Sequence, residues 1–424
     1  MDTWKLIAAD EARRLLLEVP PVRGTERVSL RQAAGRVLAE ALLAPHDMPP
    51  ERRSAMDGYA GRAADLAAAG DEGLMVIGAV AAGTVFERAI AAGQVVSIAT
   101  GAVIPDGADA VVMVEATAPA DGAPLGEGER RYVAPGSRVR ITKPVPAGAH
   151  LVQPGEDVKA GAVVLPAGRR LGARDLSALA AFGVVEVPVV RRPRIATLAT
   201  GSEVCAVTAT PRAGQVRDSN QYVLAAEIEA AGGVAVLGGI VADDYEALHE
   251  TVSRLCAEND GVILSGGSSV GPKDLTGRVL GALGAPGIIF HGIDIRPGKP
   301  TVLARVGDKP VIGMPGYPTS SMVVFEAFIR PMLARLGGES IADAWPVPAR
   351  ARLAAAYSKP AGREDHLRVR LERRDGQDGD VWAVIVPGGS AAISNVLEAD
   401  ALARIPAGVE RLEAGTAVDV RRFS

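Results

Sequence analysis

Four acidic residues stand just beyond apolar runs that read as strands. Glu203 follows the run 195–200, Asp243 and Asp244 follow 234–240, and Asp274 follows 262–265 and its loop. In an open parallel sheet ligands bind beyond the carboxyl ends of the strands, so one topology would bring these carboxylates to a single edge. The third run continues into Ser265-Gly266-Gly267-Ser268-Ser269-Val270-Gly271. Its glycines let backbone N–H groups approach an anion, its serines add donors, and a following helix adds its dipole. It carries neither the Gly-Lys-Ser/Thr of a Walker A loop nor the glycine spacing of the dinucleotide fingerprint, and it reads as a phosphate cradle. Carboxylates beside an anion repel it unless a divalent cation lies between them. Mg²⁺, which keeps several waters and bridges carboxylates to phosphates, suits Glu203, Asp243 and Asp274. Asp243 and Asp244 also have a plainer reading, as caps of a helix beginning at Tyr245.

A second cluster, Arg296-Pro297-Gly298-Lys299-Pro300, holds two cations on a backbone stiffened by prolines, which preorganises charge for an oxyanion. Downstream, Pro315-Gly316-Tyr317-Pro318 leads into a helix whose N-terminus could likewise face an anion.

The elements that must carry these residues follow from periodicity. From 191 to 338 apolar strands alternate with helices, the signature of βαβ units and a parallel α/β domain. Tyr245, Leu248, Val252 and Leu255 recur at helical spacing, as do Met322, Phe325, Ile329, Met332 and Leu336, and both stripes read as core. Upstream, an amphipathic helix ends at Pro20-Pro21, and Ser29-Leu30-Arg31-Gln32 has the form of a capping box that predicts a second helix. Between 46 and 148 short apolar runs broken by Gly and Pro indicate an inserted β-rich domain, with a type I turn at Ile104-Pro105-Asp106-Gly107. The stretch 149–190, β-like around 162–165 and helical over 173–182, is expected to rejoin residues 1–45 as one discontinuous domain. After Gly337-Gly338 strict alternation returns, as in Leu367, Val369 and Leu371, so a small β domain closes the chain at 339–424.

Composition narrows the function. A chain of 424 residues exceeds the span of one core, and 48% hydrophobic with 23% charged residues describes a folded globular protein. The net charge of −4 argues against broad nucleic-acid or anionic-membrane binding. Cys205 and Cys256 have no metal-ligand or redox spacing and read as small buried hydrophobes. The N-terminal residues are amphipathic rather than a signal peptide and no run is long enough to span a bilayer, so a cytoplasmic protein is expected.

In order along the chain, these segments resemble the molybdopterin molybdenumtransferases, the molybdenum-insertion enzymes related to the E domain of gephyrin. The matching segments are Ser54-Ala55-Met56-Asp57-Gly58-Tyr59-Ala60, Thr100-Gly101-Ala102 with Gly107-Ala108-Asp109-Ala110-Val111-Val112, Gly155-Glu156-Asp157, Thr200-Gly201-Ser202-Glu203, Asp218-Ser219-Asn220, the Gly-rich loop and Pro297-Gly298-Lys299-Pro300. The resemblance implies four domains: a discontinuous one, an inserted β domain, the α/β domain and a C-terminal β-barrel. It implies a Mg²⁺-dependent reaction in which molybdate and adenylylated molybdopterin give AMP and molybdenum on the dithiolene. It also implies a homodimer, passing its product to recipient molybdoenzymes.

Carried over by position, the active-site groups are Asp57, Thr100, Asp157, Glu203, Asp243, Asp274, Lys299 and Ser390. Asp57 and Thr100 would reach across the dimer, Glu203 and Asp274 would hold the cation or orient water, and Lys299 would neutralise phosphate or molybdate. Asp157, Ser390, the Gly-rich loop and Arg296-Pro297-Gly298 would contact substrate. The chain departs from the family pattern at Arg296, where a Lys is usual, at Tyr317, at His150–Gln153, at Ser202 and at Pro272-Lys273, with Arg138 and Arg140 as possible compensating cations. Two other readings stay open: a non-catalytic pterin-binding or carrier protein, and an insertase specialised for tungstate.

Overall fold

Runs of Val, Ile and Leu without polar alternation need burial on both faces, as in the strands of a parallel α/β sheet. Every residue of 195–200, 261–265 and 310–314 is buried. In the computed structural model these runs form the centre of a six-stranded sheet. Its order is Val234–Val241, Arg194–Thr200, Gly261–Ser265, Lys309–Met314, Val302–Val306 and Pro286–His291. The first four strands are parallel, as the alternation predicts. The last two are antiparallel additions at one edge. They escaped sequence reading because Gly287 at φ 80° and a register shift between Ile288 and Phe290 break the apolar run.

The two faces of the sheet are covered by different helices. Tyr245–Glu258 and Leu275–Ala282 bury Leu248, Val252, Leu255, Val279 and Leu280 against Ala196, Leu198, Val262 and Leu264. On the opposite face Asn220–Ala230, Ala9–Leu17 and the helical run from Pro318 to Leu336 pack Leu224, Leu16, Phe325, Phe328 and Met332 over Ile195, Ile263, Ile312 and Met314. Within that run Phe325–Ile329 forms a single π turn whose five residues, Glu326 included, are buried. Each buried Leu, Ile or Phe contributes ~1.5–3 kcal/mol relative to exposure.

The structure describes residues 6–120, 132–266, 274–341, 349–374 and 381–423. They fall into two compact units. One comprises Met1–Glu40, Ala167–Ala180 and Val184–Ser424, the other Ala41–Pro166 and Ala181–Gly183. The second unit holds a six-stranded sheet ordered Ala110–Met113, Gly58–Gly61, Gln94–Ile98, Leu74–Val80, Arg138–Ile141 and Thr117–Pro119. Its neighbouring backbones lie so close that a Cβ on Gly58 would stand 1.9 Å from the Val112 carbonyl oxygen. The predicted type I turn is corrected by one residue: Ala108 N donates to Pro105 O at 3.2 Å, and Gly107, third in that turn at φ 89°, has the positive φ of a type II turn.

The expected second helix is corrected. Thr25–Ser29 is a strand paired with Glu186–Val190, and Leu30–Gln32 is only one 3₁₀ turn. Ser29 Oγ donates to the Gln32 side chain at 2.9 Å instead of capping a backbone N–H, while Leu30 N is spent on Val185 O. Gly35, at φ 73°, then turns the chain away before a second helical turn can form.

The C-terminal strands Ala349–Leu353, Glu364–Arg373, Val381–Ile385, Ala401–Ile405 and Ala417–Arg422 close into a five-stranded barrel, because Glu364–Arg373 pairs with both Val381–Ile385 and Ala401–Ile405. The short strand Ile295–Arg296 pairs in parallel with the start of Glu364–Arg373, so the loop bearing Lys299 begins on the barrel. A buried charge cluster fastens the helix Ala9–Leu17 beside it. Arg13 is 5% and Glu364 3% exposed. Glu364 accepts from Arg13 and from Arg404 Nε at 2.8 Å, and His366 Nε2 lies 2.8 Å from its carboxylate. Burial opposes the charge on Glu364, but the bonds from His366 and Arg13 outweigh it and hold the carboxyl well below its usual range.

Candidate anion-binding edge

The strands Arg194–Thr200, Gly261–Ser265 and Lys309–Met314 end side by side, and the next residue of each is shaped by the others. Gly266 N donates to Met314 O at 3.2 Å, and at φ 99° its missing Cβ leaves room for the Thr200 carbonyl oxygen, 2.1 Å from where that Cβ would be. A Cβ on Gly316 would stand 3.4 Å from the Gly266 α-carbon, so the two turns lie close. Asn220, first residue of Asn220–Ala230, bridges the two turns: its Nδ2 donates to Ser265 Oγ at 2.5 Å and to Gly316 O at 2.8 Å. Ser265 is 3% exposed. Of the proposed cradle, Ser265 and Gly266 are thus in contact with Asn220 and Gly316, while Gly267, Ser268, Ser269 and Gly271 lie outside the described residues.

The acids divide by environment. Glu203 is exposed, and its carboxylate folds over Gly201, where a Cβ would stand 2.7 Å from Glu203 Oε2. Asp243, also exposed, accepts from Ser202 N at 3.1 Å, and its own N donates to Ser202 Oγ at 3.4 Å. The serine that departs from the family pattern therefore holds Asp243 beside the same strand end. Asp244 is the helix cap, accepting from Ala247 N at 2.9 Å. Asp274 is 7% exposed and caps Leu275–Ala282 by accepting from Gly277 N at 3.1 Å. Its other oxygen faces His291 Nε2 at 3.2 Å. Burial lowers His291 below its ordinary value against the pull of Asp274. Among the described residues no three His, Cys, Asp or Glu side chains are grouped to hold a metal ion.

The cationic loop is also partly committed. Arg296 donates to the buried Asp365 and to Tyr357 Oη at 2.9 Å, which raises the guanidinium further. Burial and the Asp365 bond push Tyr357 up to about 12. Lys299 is half-buried and no such partner engages its ammonium among the described residues; its backbone O accepts from Ile293 N at 3.0 Å, and Thr301 Oγ1 ties the turn to Gly298 O at 2.7 Å. Pro297 is half-buried and Gly298 buried, and a Cβ on Gly298 would meet Val324 at 2.6 Å, so the turn lies against the end of Pro318–Val324. At the other end of that helix Thr319 N donates to Ser390 O at 3.3 Å. Arg368, a residue sequence reading did not single out, donates to Gly388 O at 2.8 Å and braces the loop that carries Ser390.

The remaining positions lie in the other unit. Thr100 donates to Asp57 Oδ1 through N at 2.8 Å and through Oγ1 at 2.9 Å, and both residues are exposed. Asp157 is exposed after Gly155, which turns at φ 69°. His150 has φ 55° and its Nδ1 sits 2.8 Å from Val111 O, a backbone tether. Arg138 donates to Gly73 O at 2.8 Å and Arg140 pairs with Asp71 at 3.6 Å, so both cations have structural partners.

Architecture and edge together define a multidomain α/β protein whose central sheet gathers hydroxyl, backbone and carboxylate groups at the carboxyl ends of its parallel strands. The family profiles for the MoeA N-terminal region (domain I and II), a probable molybdopterin binding domain and the MoeA C-terminal region (domain IV) match residues 7–183, 196–335 and 350–423. The chain belongs to the MoeA family. It is 35% identical over 92% of its length to the molybdopterin molybdenumtransferase of Nostoc, covering 87% of that protein, and 31% identical over 98% to that of Bacillus subtilis, covering 93%. The crystal structure of the molybdopterin biosynthesis MoeA protein from Pyrococcus horikoshii is similar at a TM-score of 0.81 and 31% identity, over 99% of this chain and 100% of that one. Among the described residues no helix is long and apolar enough to cross a membrane.

Proposed function

We propose that this chain, in molybdenum cofactor biosynthesis, takes molybdate and adenylylated molybdopterin, releases AMP and leaves molybdenum on the dithiolene. The observation that carries the reading is the edge where Ser265, Gly266 and Gly316 meet beside two exposed carboxylates, Glu203 and Asp243, at the ends of adjacent strands. Neutral donors alone would serve any anion, whereas donors flanked by carboxylates suit a phosphate that arrives with a cation.

A hard divalent ion that keeps its waters needs only one or two carboxylates from the protein, and Glu203 and Asp243 meet that requirement. Asp274, already capping a helix and facing His291, serves by fixing the start of Leu275–Ala282. Mg²⁺, when bound, supplies charge neutralisation on the pyrophosphate. The chain's own groups orient the phosphates: Ser265 donates, and Lys299 offsets oxyanion charge that Arg296, held by Asp365, is less able to reach. In this reading the protein is a homodimer in which Asp57 and Thr100, locked to each other, complete the partner subunit's site.

The test is AMP release from adenylylated molybdopterin, followed by chromatography. Release is expected only with Mg²⁺ and an oxyanion both present, and Glu203→Ala should lower it about tenfold to hundredfold. Tight pterin binding without AMP release would instead identify a carrier, and release with tungstate but not molybdate a tungstate insertase.

A further inference from the structure

The contact between Asn220 and Ser265 fixes the direction of a proton. Gly316 O is a carbonyl and can only accept, so the Asn220 atom 2.8 Å from it must be the amide nitrogen. The same nitrogen lies 2.5 Å from Ser265 Oγ. An amide NH₂ carries two hydrogens and no available lone pair, so Ser265 also accepts, and both hydrogens of Asn220 are used. The hydroxyl proton of Ser265 must then be given to something else. Ser265 is 3% exposed, and its hydroxyl donates no hydrogen bond among the described residues. Leaving a buried hydroxyl proton without an acceptor sacrifices much of a hydrogen bond.

We propose that Asn220 is a positioning residue that turns Ser265 into an obligate donor to an anionic oxygen of the substrate's phosphate. The proposal rests on the reading of this edge as the phosphate site, and it adds how one residue selects the ligand's chemistry. A group that can only accept there, such as a fully ionised phosphoryl oxygen, completes the chain from Gly316 through Asn220 and Ser265. A cation or a group that can only donate meets a proton and is rejected. The N-terminus of Asn220–Ala230 has the matching sign. Ser265 lies on the face of the sheet that this helix covers, with Ile263 two residues before it in the same core layer.

Binding rather than turnover tests this, with AMP as the probe and titration calorimetry on the full chain. Ser265→Ala should weaken AMP binding about tenfold or more, the worth of one hydrogen bond to a charged group. Asn220→Ala should weaken it less, and the double variant no more than Ser265→Ala alone, because Asn220 acts through Ser265. Asn220→Asp preserves shape but accepts the Ser265 proton, and it should bind worse than Asn220→Ala. Ser265→Cys, a weak donor of similar shape, should fall between wild type and Ser265→Ala if folding of the alanine variant is impaired. Additive effects in the double variant, or an Asn220→Asp protein that binds AMP like wild type, would overturn the proposal. A wild-type protein that binds AMP with the predicted coupling yet never releases it from adenylylated molybdopterin would sink the catalytic reading and leave this one standing.

Discussion

Replacing Glu364 by glutamine is expected to lower the unfolding free energy by at most ~3–5 kcal/mol, because it removes the buried carboxylate partner of Arg13, which keeps the exposed Asp10 at 2.7 Å. Arg13, 5% exposed, lies with its guanidinium 5.0 Å from the centre of the Phe328 ring. Arg404 also points Nε at the same carboxylate, so the loss is shared by the N-terminal helix and two barrel strands. Urea unfolding of Glu364→Gln and wild type at neutral pH measures it directly.

The same cluster sets a pH dependence. Burial lowers His366 in the folded protein, against the pull of Glu364. Below the unfolded value of about 6.5 the unfolded chain binds the proton more readily, so stability falls as pH drops through that point. His291, lowered in the same direction, adds to the slope. Glu364 follows the carboxylate rule: its contribution is present above the unfolded carboxyl value and is lost on further acidification toward its lowered folded value. Unfolding midpoints should therefore decline from pH 7 to pH 5, and a His366→Gln protein should show a shallower decline.

Lys299→Ala should reduce AMP release by on the order of 10²–10³-fold, the usual cost of removing one preorganised group that stabilises developing negative charge. The size of the expected effect follows from Arg296. Its guanidinium is tied to Asp365 and Tyr357, so Lys299 is the cation of that loop left to meet an oxyanion. Arg296→Lys should accordingly change kcat/KM much less than Lys299→Ala. Equal losses from both substitutions would show that Arg296 leaves Asp365 during the reaction.

Much of this was readable in the chain because apolar period and burial agree. The runs at 195–200, 261–265 and 310–314 are continuous and buried on both faces, and the stripe from Met322 to Leu336 is buried throughout. The capping box misled because Ser29 ends a strand whose partner is 157 residues away at Glu186, a pairing that local sequence cannot report. Asn220–Ala230 carried no helical stripe, since Tyr222 and Val223 are exposed among buried neighbours. At the candidate site the acids after strands differ in fate by tertiary contact. Asp274 faces a histidine brought by a strand that was itself invisible, and Arg296 meets an aspartate from the barrel. Asn220 stood in a quoted motif, yet its role depends on Gly316, 96 residues downstream.

The pairing of Ile295–Arg296 with the first residues of Glu364–Arg373 has a practical side. The loop that presents Lys299 is hung from the barrel by backbone hydrogen bonds and by the Arg296–Asp365 pair, so its position is inherited from a different part of the chain. Chimeras between relatives should therefore keep residues 295–301 and 349–423 from one parent. A crossover between those segments would mismatch the anchor, and the two must be grafted together.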